Sequence, residues 1–218
     1  MSREGRGSGG GRRGRAGGEA HRGGESGPDT DIGGEADRRG GRKSGVSALP
    51  DRELDLFAIT PPGLEELTAA ELKALGIEGR SEPGGVAWSG GHADLYRANL
   101  HLRTASRVVV TVARFRARSF IELERHLGRI DWSPFLSDDV EVALRVTSRK
   151  SRLYHEGAIA ERILRQLGRP ASTTQARGEA GEEGDPGEGA QLFIVRFFRD
   201  ECLIRADSSG ALLHRRGY

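Results

Sequence analysis

Three short stretches concentrate positive charge. In the first, Arg114, Arg116 and Arg118 alternate with Ala113, Phe115 and Ala117. On extended backbone, a period of two puts all three guanidinium groups on one face and the apolar residues on the other. The second is Ser148-Arg149-Lys150-Ser151-Arg152-Leu153-Tyr154-His155, which combines permanent cations, hydroxyls, an aromatic ring and an imidazole with no acid among them. Arg and Lys neutralise phosphates, hydroxyls donate to phosphate oxygens, and Tyr or His can stack on an unpaired base. The third is His214-Arg215-Arg216-Gly217-Tyr218. The chemistry these residue types support is recognition of a nucleic-acid backbone. The plainer explanation of each cluster is a solvated charged surface. Against it, crowded like charges repel and cost folding stability unless an anion binds.

Bond-making chemistry has no comparable support. No G-x-G-x-x-G follows an expected strand, and no G-x-x-x-x-G-K-[ST] exists. Pro61-Pro62 is followed by Gly63 and Leu64, not by an acidic or aromatic catalytic box. The histidines (His21, His92, His101, His126, His155 and His214) are scattered, with no pair at i, i+4 around a glutamate. The single cysteine, Cys202, excludes an intramolecular disulfide and a Cys-based zinc knuckle. It falls in an expected strand, where an inert buried thiol is the simplest role. No catalytic residue, metal ligand or cofactor is assigned within the chain.

The elements that must carry the clusters follow from periodicity. A strand is expected over 54–60, broken by Pro61-Pro62-Gly63. A helix follows through Leu64, Leu67, Leu72 and Leu75, ending at Gly76 as a natural C′ residue. A short strand over 84–88, a helix over 93–102 and a β-rich stretch within 103–118 complete a βαβ…βαβ order, which fits a ferredoxin-like α+β unit. In a second unit, Ser119 with Glu122 forms a capping-box pattern that opens a helix over 120–127. A strand over 140–146 leads into the Ser148–His155 loop, and a helix follows over 157–167. A hairpin then joins strands over 192–198 and 202–206 around Arg199-Asp200-Glu201. No new element is expected between the hairpin and Tyr218.

The chain has 218 residues, a net charge of +2 and 33 glycines. Residues 1–45 hold 16 of those glycines, with ten basic and seven acidic residues and no aromatic ring. Such a segment cannot bury enough apolar surface to offset its ordering entropy and is expected to be disordered. Its Arg22-Gly23-Gly24 and Arg39-Gly40-Gly41 look like RNA-contacting RGG segments, although its acids dilute the charge. A second segment, 171–191, is acidic and glycine-rich and is expected to be a solvated loop. No run of apolar residues is long enough for a transmembrane helix, and the N-terminus has no apolar signal core. These features and the lone thiol fit a reducing cytoplasm, with no membrane partner.

The same residues carry a family likeness. Pro61-Pro62-Gly63-Leu64-Glu65, Tyr96-Arg97-Ala98-Asn99-Leu100 and Leu102-Arg103-Thr104-Ala105-Ser106-Arg107-Val108 recur in order and at comparable spacing with Arg116-Ala117-Arg118-Ser119-Phe120. The Ser148–His155 block, Asp207-Ser208-Ser209-Gly210 and Leu213–Tyr218 continue the series. The chain thus resembles the N-terminal region of bacterial THUMP-domain ribosomal RNA guanine-N2 methyltransferases. The resemblance implies an α+β fold with a disordered tail over 1–50, a ferredoxin-like domain over 51–115 and a THUMP unit over 116–212. Residues 213–218 are then a linker to a methyltransferase domain outside this chain. It implies an RNA-binding module that positions structured RNA, ribosomal RNA first and transfer RNA second, for a catalytic domain acting in cis or trans with S-adenosylmethionine. On this reading Ser148, Arg149, Lys150, Arg152, Tyr154, His155, Arg116, Arg118, Arg103, Arg215 and Arg216 contact RNA. A competing class is a protein-interaction module, which salt dependence separates from a phosphate binder.

Overall fold

The computed structural model describes residues 53–136, 140–169 and 189–216. The expectations for the tail over 1–50, for most of the acidic loop and for Gly217-Tyr218 fall outside the described residues. Gln191 does not belong to that loop, because it is the first residue of a strand.

The first half runs β1 (Leu54–Ile59), α1 (Glu65–Ala74), β2 (Arg80–Glu82), β3 (Gly85–Gly90), α2 (His92–His101) and β4 (Arg107–Arg116). The second runs α3 (Phe120–Leu127), β5 (Val142–Arg149), α4 (Glu156–Gln166), β6 (Gln191–Phe198) and β7 (Glu201–Asp207), then a short 3-10 helix over Leu213–Arg216. That last helix corrects the expectation of no element after the hairpin. Gly76 ends α1 with a φ of +75°, the left-handed conformation anticipated for it. The capping box of α3 is only half formed. Ser119 Oγ accepts from Glu122 N, but the Glu122 carboxylate accepts from Arg118 N, one residue earlier.

All strands share one sheet, in the order β2-β3-β1-β4-β7-β6-β5. The β2-β3-β1-β4 portion is antiparallel throughout and gives the ferredoxin-like half. β5 pairs in parallel with β6, and the β6–β7 hairpin joins it to β4. The two expected α/β units are therefore halves of one continuous sheet, and β4 belongs to both. β2 is not expected from sequence: its Arg80-Ser81-Glu82 has no strand-forming residue, and its extended form comes from pairing with β3.

Two buried clusters lie on the helix-covered face. Leu56, Ala58, Val86 and Trp88 meet Leu72, Leu95 and Ala98 of α1 and α2. Phe193, Val195, Phe197, Cys202 and Ile204 meet Leu123, Ile159 and Ile163 of α3 and α4. A β-bulge between Thr111 and Ala113 of β4 lies where the two clusters meet. Before it, even-numbered Val108 and Val110 point into the first cluster. After it, odd-numbered Phe115 packs on the second. One extra residue shifts the inward phase by one. The bulge is thus what turns Arg114 and Arg116 away from the helices.

Candidate nucleic-acid interface

The strands β4, β5 and β6 run out, and β7 begins, at one end of the sheet. Arg114 and Arg116 close β4 on the face without helices, both exposed, and Arg118 follows just beyond the strand. β5 reaches Arg149, opposite Phe198 at the end of β6. This corrects the expected loop boundary: Ser148 and Arg149 are strand residues, held there by the parallel pairing with β6. The turn Arg199-Asp200 joins β6 to β7. The stripe and the loop, distant in sequence, therefore meet, together with the exposed Arg196 and Arg199.

Asp200 organises this end. Its carboxylate accepts from the backbone N of Arg152 at 2.8 Å and pairs with Arg118 at 3.3 Å. Its own N donates to Ser151 Oγ at 3.0 Å, and its carbonyl accepts from Ala117 N at 2.9 Å. The bond from Arg152 N, helped by the charges of Arg118, Arg152 and Arg116 against some desolvation, holds the carboxyl below its ordinary value. One turn residue thus ties together the end of β4, the hairpin and the loop after β5. Leu153 anchors that loop by burial in the second cluster.

Backbone strain concentrates at the same place. Lys150, Arg199 and Asp200 are the non-glycine residues with positive φ among the described residues, at 53°, 51° and 66°. Two consecutive left-handed residues suit a two-residue hairpin, but Asn-Gly is the usual choice. Side chains forced into this region are maintained by surrounding contacts, and such residues gather at functional sites.

The loop presents Arg149, Lys150, Arg152, Tyr154 and His155 to solvent. The Tyr154 and His155 rings lie 4.2 Å apart, and Phe198 is partly exposed with the Arg199 guanidinium 5.2 Å from its ring centre. Cations beside accessible rings are what a single-stranded nucleic acid requires. Ser148 has a different place. Its hydroxyl donates to Leu153 O at 2.5 Å and its N donates to Glu156 Oε1 at 2.9 Å, so it shapes the loop. The Glu156 carboxylate, in the first turn of α4, also places a negative charge beside the cations.

Arg103, Arg215 and Arg216 are not part of this convergence. Arg103 donates its N to Glu71 Oε2, and the 3-10 helix begins at Leu213, whose N donates to Ser106 O. Both contacts lie at the start of β4, about 30 Å of strand away from its end at the ordinary rise per residue. Arg103 and Arg215 are exposed there. Asp200, Arg196 and Arg199 escape sequence reasoning. Alternation in the β6 sequence could reveal Arg196, but nothing local marks Asp200 as a hub. Cys202 is buried, and desolvation pushes its thiol upward, in keeping with an inert role. Among the described residues, no group of His, Cys, Asp and Glu is placed to hold a metal, and no helix is long and apolar enough to cross a membrane.

The fold and sequence agree with a known class. Residues 55–109 match the RlmL ferredoxin-like domain. The chain is 34% identical over 170 residues to YpsC of Bacillus subtilis, assigned by its name to the RNA methyltransferases, covering 77% of this chain and 43% of that protein. It is 32% identical over 173 residues to ribosomal RNA large subunit methyltransferase K/L of Methylococcus capsulatus, covering 75% of this chain and 22% of that one. A solved structure from Listeria monocytogenes, described as a predicted N6-adenine-specific DNA methylase, superposes with a TM-score of 0.59 at 29% identity. That match covers 77% of this chain and 43% of the other. Residues 55–109 thus match the ferredoxin-like domain, and about three quarters of the chain is similar to a region of proteins named as RNA methyltransferases. The chain spans less than half the length of these relatives.

Proposed function

We propose that this chain is the RNA-gripping part of an RNA methyltransferase, with residues 51–115 as its ferredoxin-like domain and 116–212 as a THUMP unit. It holds structured RNA, ribosomal RNA first among the candidates, so that a catalytic domain can methylate a guanine with S-adenosylmethionine in the cytoplasm. The carrying observation is the meeting of Arg114, Arg116, Arg118, Arg149, Lys150 and Arg152 at one end of the sheet. They come from segments separated in sequence and are joined through Asp200.

Among the described residues, the strand-to-helix turns at Gly63 and at Gly90-Gly91 do not suit S-adenosylmethionine itself. Gly63 stands alone after two prolines, and the N-terminus of α2 at Gly90-Gly91 is already closed by Asp94, whose carboxylate accepts from Gly91 N at 3.1 Å. A cofactor loop needs a free, glycine-lined helix start. We therefore assign the cofactor to the catalytic domain and no step of methyl transfer to these residues.

Titration with a ribosomal RNA fragment, transfer RNA and a matched DNA duplex across about 50–200 mM salt tests the reading. RNA affinity is expected to fall steeply with salt and to exceed that for DNA. Salt-independent binding, or a preference for DNA, overturns it.

A further inference from the structure

We propose that the middle of the helix-free sheet face docks an acidic protein segment that carries aliphatic side chains among its carboxylates. This surface adjoins the cationic end but does not depend on RNA binding there.

Helices α1 to α4 all pack on the opposite face. On the helix-free face, the strand register sets two aliphatic residues between arginines. Ile194 of β6 lies between Arg205 of β7 and Arg145 of β5. Leu203 of β7 lies between Arg114 of β4 and Arg196 of β6. Ile194 and Leu203 are diagonal neighbours across the β6–β7 pair, close enough for long side chains to touch. Both are half-buried, whereas Arg114 and Arg196 are exposed. A single aliphatic residue on a sheet surface needs no explanation. Here two adjoin, and each has an arginine on both sides.

The cations outnumber the acids on this part of the face. Among the described residues of β4 to β7 that point this way, the acids are Glu201, paired with Arg114 at 3.6 Å, and Asp207, buried against Arg107. Burial lowers Arg205 to about 10, with Glu82 opposing and the charges of Arg114 and Arg196 adding to the shift, so it remains a cation at neutral pH. Crowded like charges cost stability unless an anion arrives.

The aliphatic centre selects among anions. Unpaired bases stack on rings or on guanidinium planes. Ile194 and Leu203 offer neither, and the buried Phe57 ring nearby is covered by the Arg205 guanidinium at 3.8 Å. A peptide leucine or valine removes apolar surface from water at such a centre. Peptide carboxylates accept the paired N–H groups of arginine. In an extended peptide, acids at i and i+4 and an aliphatic residue at i+2 share one side, with about 13 Å between the acids. The arginines flanking each aliphatic residue stand about 10 Å apart at Cα, two strand spacings, and their long side chains make up the difference.

The probe is a fluorescein-labelled nonapeptide, Glu-Ser-Leu-Ser-Glu-Ser-Leu-Ser-Glu, titrated into the whole chain at about 150 mM salt and read by anisotropy. Saturable binding is expected. Serine in place of both peptide leucines should weaken it about fivefold, as should Leu203→Thr or Arg196→Ala in the protein, each with an unchanged circular dichroism spectrum. No binding overturns the proposal, and so does binding indifferent to the peptide leucines or to both protein variants. Transfer RNA affinity should stay within about twofold in Leu203→Thr. If it falls as far as peptide affinity, the face belongs to nucleic acid and the docking proposal fails, while the cationic end stands. If the peptide binds as expected and no RNA binds, the docking surface stands and the RNA reading fails.

Discussion

The two ends of β4 use the same residue type in opposite ways. At its start, Arg107 is fully buried and donates to Asp207 Oδ2 at 2.5 Å and to Gly210 O at 2.6 Å. Asp207 is almost equally buried. Desolvation pushes its carboxyl up, opposed by the Arg107 charge and by the bond from Ser209 N. Around the pair, Ser209 Oγ donates to Asn99 Oδ1, Asn99 Nδ2 donates to Ser208 Oγ, and Ser208 Oγ donates to Val108 O. At its other end, Arg114 and Arg118 are about half exposed and pair with Glu201 and Asp200 at 3.6 and 3.3 Å. The buried end locks the hairpin and the segment after it onto the ferredoxin-like half. The exposed end leaves its charges available to a partner. What an arginine does is decided by burial and by whether its partner is also removed from water, not by its place in a strand.

Breaking the buried pair should give the largest effect. Arg107→Met is expected to lose about 3–5 kcal/mol of stability in urea unfolding, because an unpaired carboxylate is left inside. Adding Asp207→Leu should recover most of that loss, since apolar replacement of both partners is often neutral. RNA affinity of the folded fraction should stay within about twofold at any such cost. A loss of RNA binding that tracks the stability loss would mean the two ends are not separable.

The exposed end should show the reverse pattern. Replacing Arg149, Lys150 and Arg152 together by Ala should change stability by less than about 0.5 kcal/mol. It should weaken binding to all structured RNAs and reduce the salt slope by about two, at roughly 0.7–0.9 for each phosphate no longer neutralised. An unchanged slope would reduce the loop to a solvated turn and leave Arg114, Arg116 and Arg118 as the next surface to replace.

A smaller effect is expected at Asp200. Its carboxyl is depressed in the folded chain, so its contribution is present at neutral pH. That contribution fades as pH falls through its folded value, below the ordinary carboxylate value of about 3.9. Hydrogen exchange at the Arg152 amide should accelerate over that acidic range relative to amides of β4. Asp200→Asn keeps an acceptor oxygen and removes a negative charge from among cations, so it should bind RNA slightly more tightly. Asp200→Ala should instead free the Arg152 amide and loosen the loop. The smallest change is expected from Arg103→Ala with Arg215→Ala, at the far end of β4, with less than half the affinity loss of the loop variant.

The helices and most strands are legible in the sequence because their signals are local: spacing of leucines, glycines at stops, and alternation. The outward stripe follows correctly from alternation over 113–118. The phase change that requires the bulge is also in the sequence, where even-numbered Val108, Val110 and Val112 give way to odd-numbered Phe115 and Ala117. The boundary after β5 is not legible, because the parallel strand β6 extends it and that pairing joins segments separated by α4. Arg107 with Asp207, and Asp200 with Arg152, join residues 100 and 48 positions apart. No local pattern encodes such pairs.

The position of the last hairpin has a consequence for synthesis. β7 lies between β4 and β6, and β6 lies between β7 and β5. A nascent chain that has emerged only through α4 holds the ferredoxin-like half and the β5 segment with nothing to join them. The β4 edge that β7 will later cover is then bare, and β5 has no sheet at all. Such edges are templates for pairing with other chains. The waiting time is set by translation of residues 167–207, several seconds at about 5–20 residues per second. Ribosomes that stall within that window should release aggregating fragments. A stall after Asp207 should release a chain that holds every strand of the sheet.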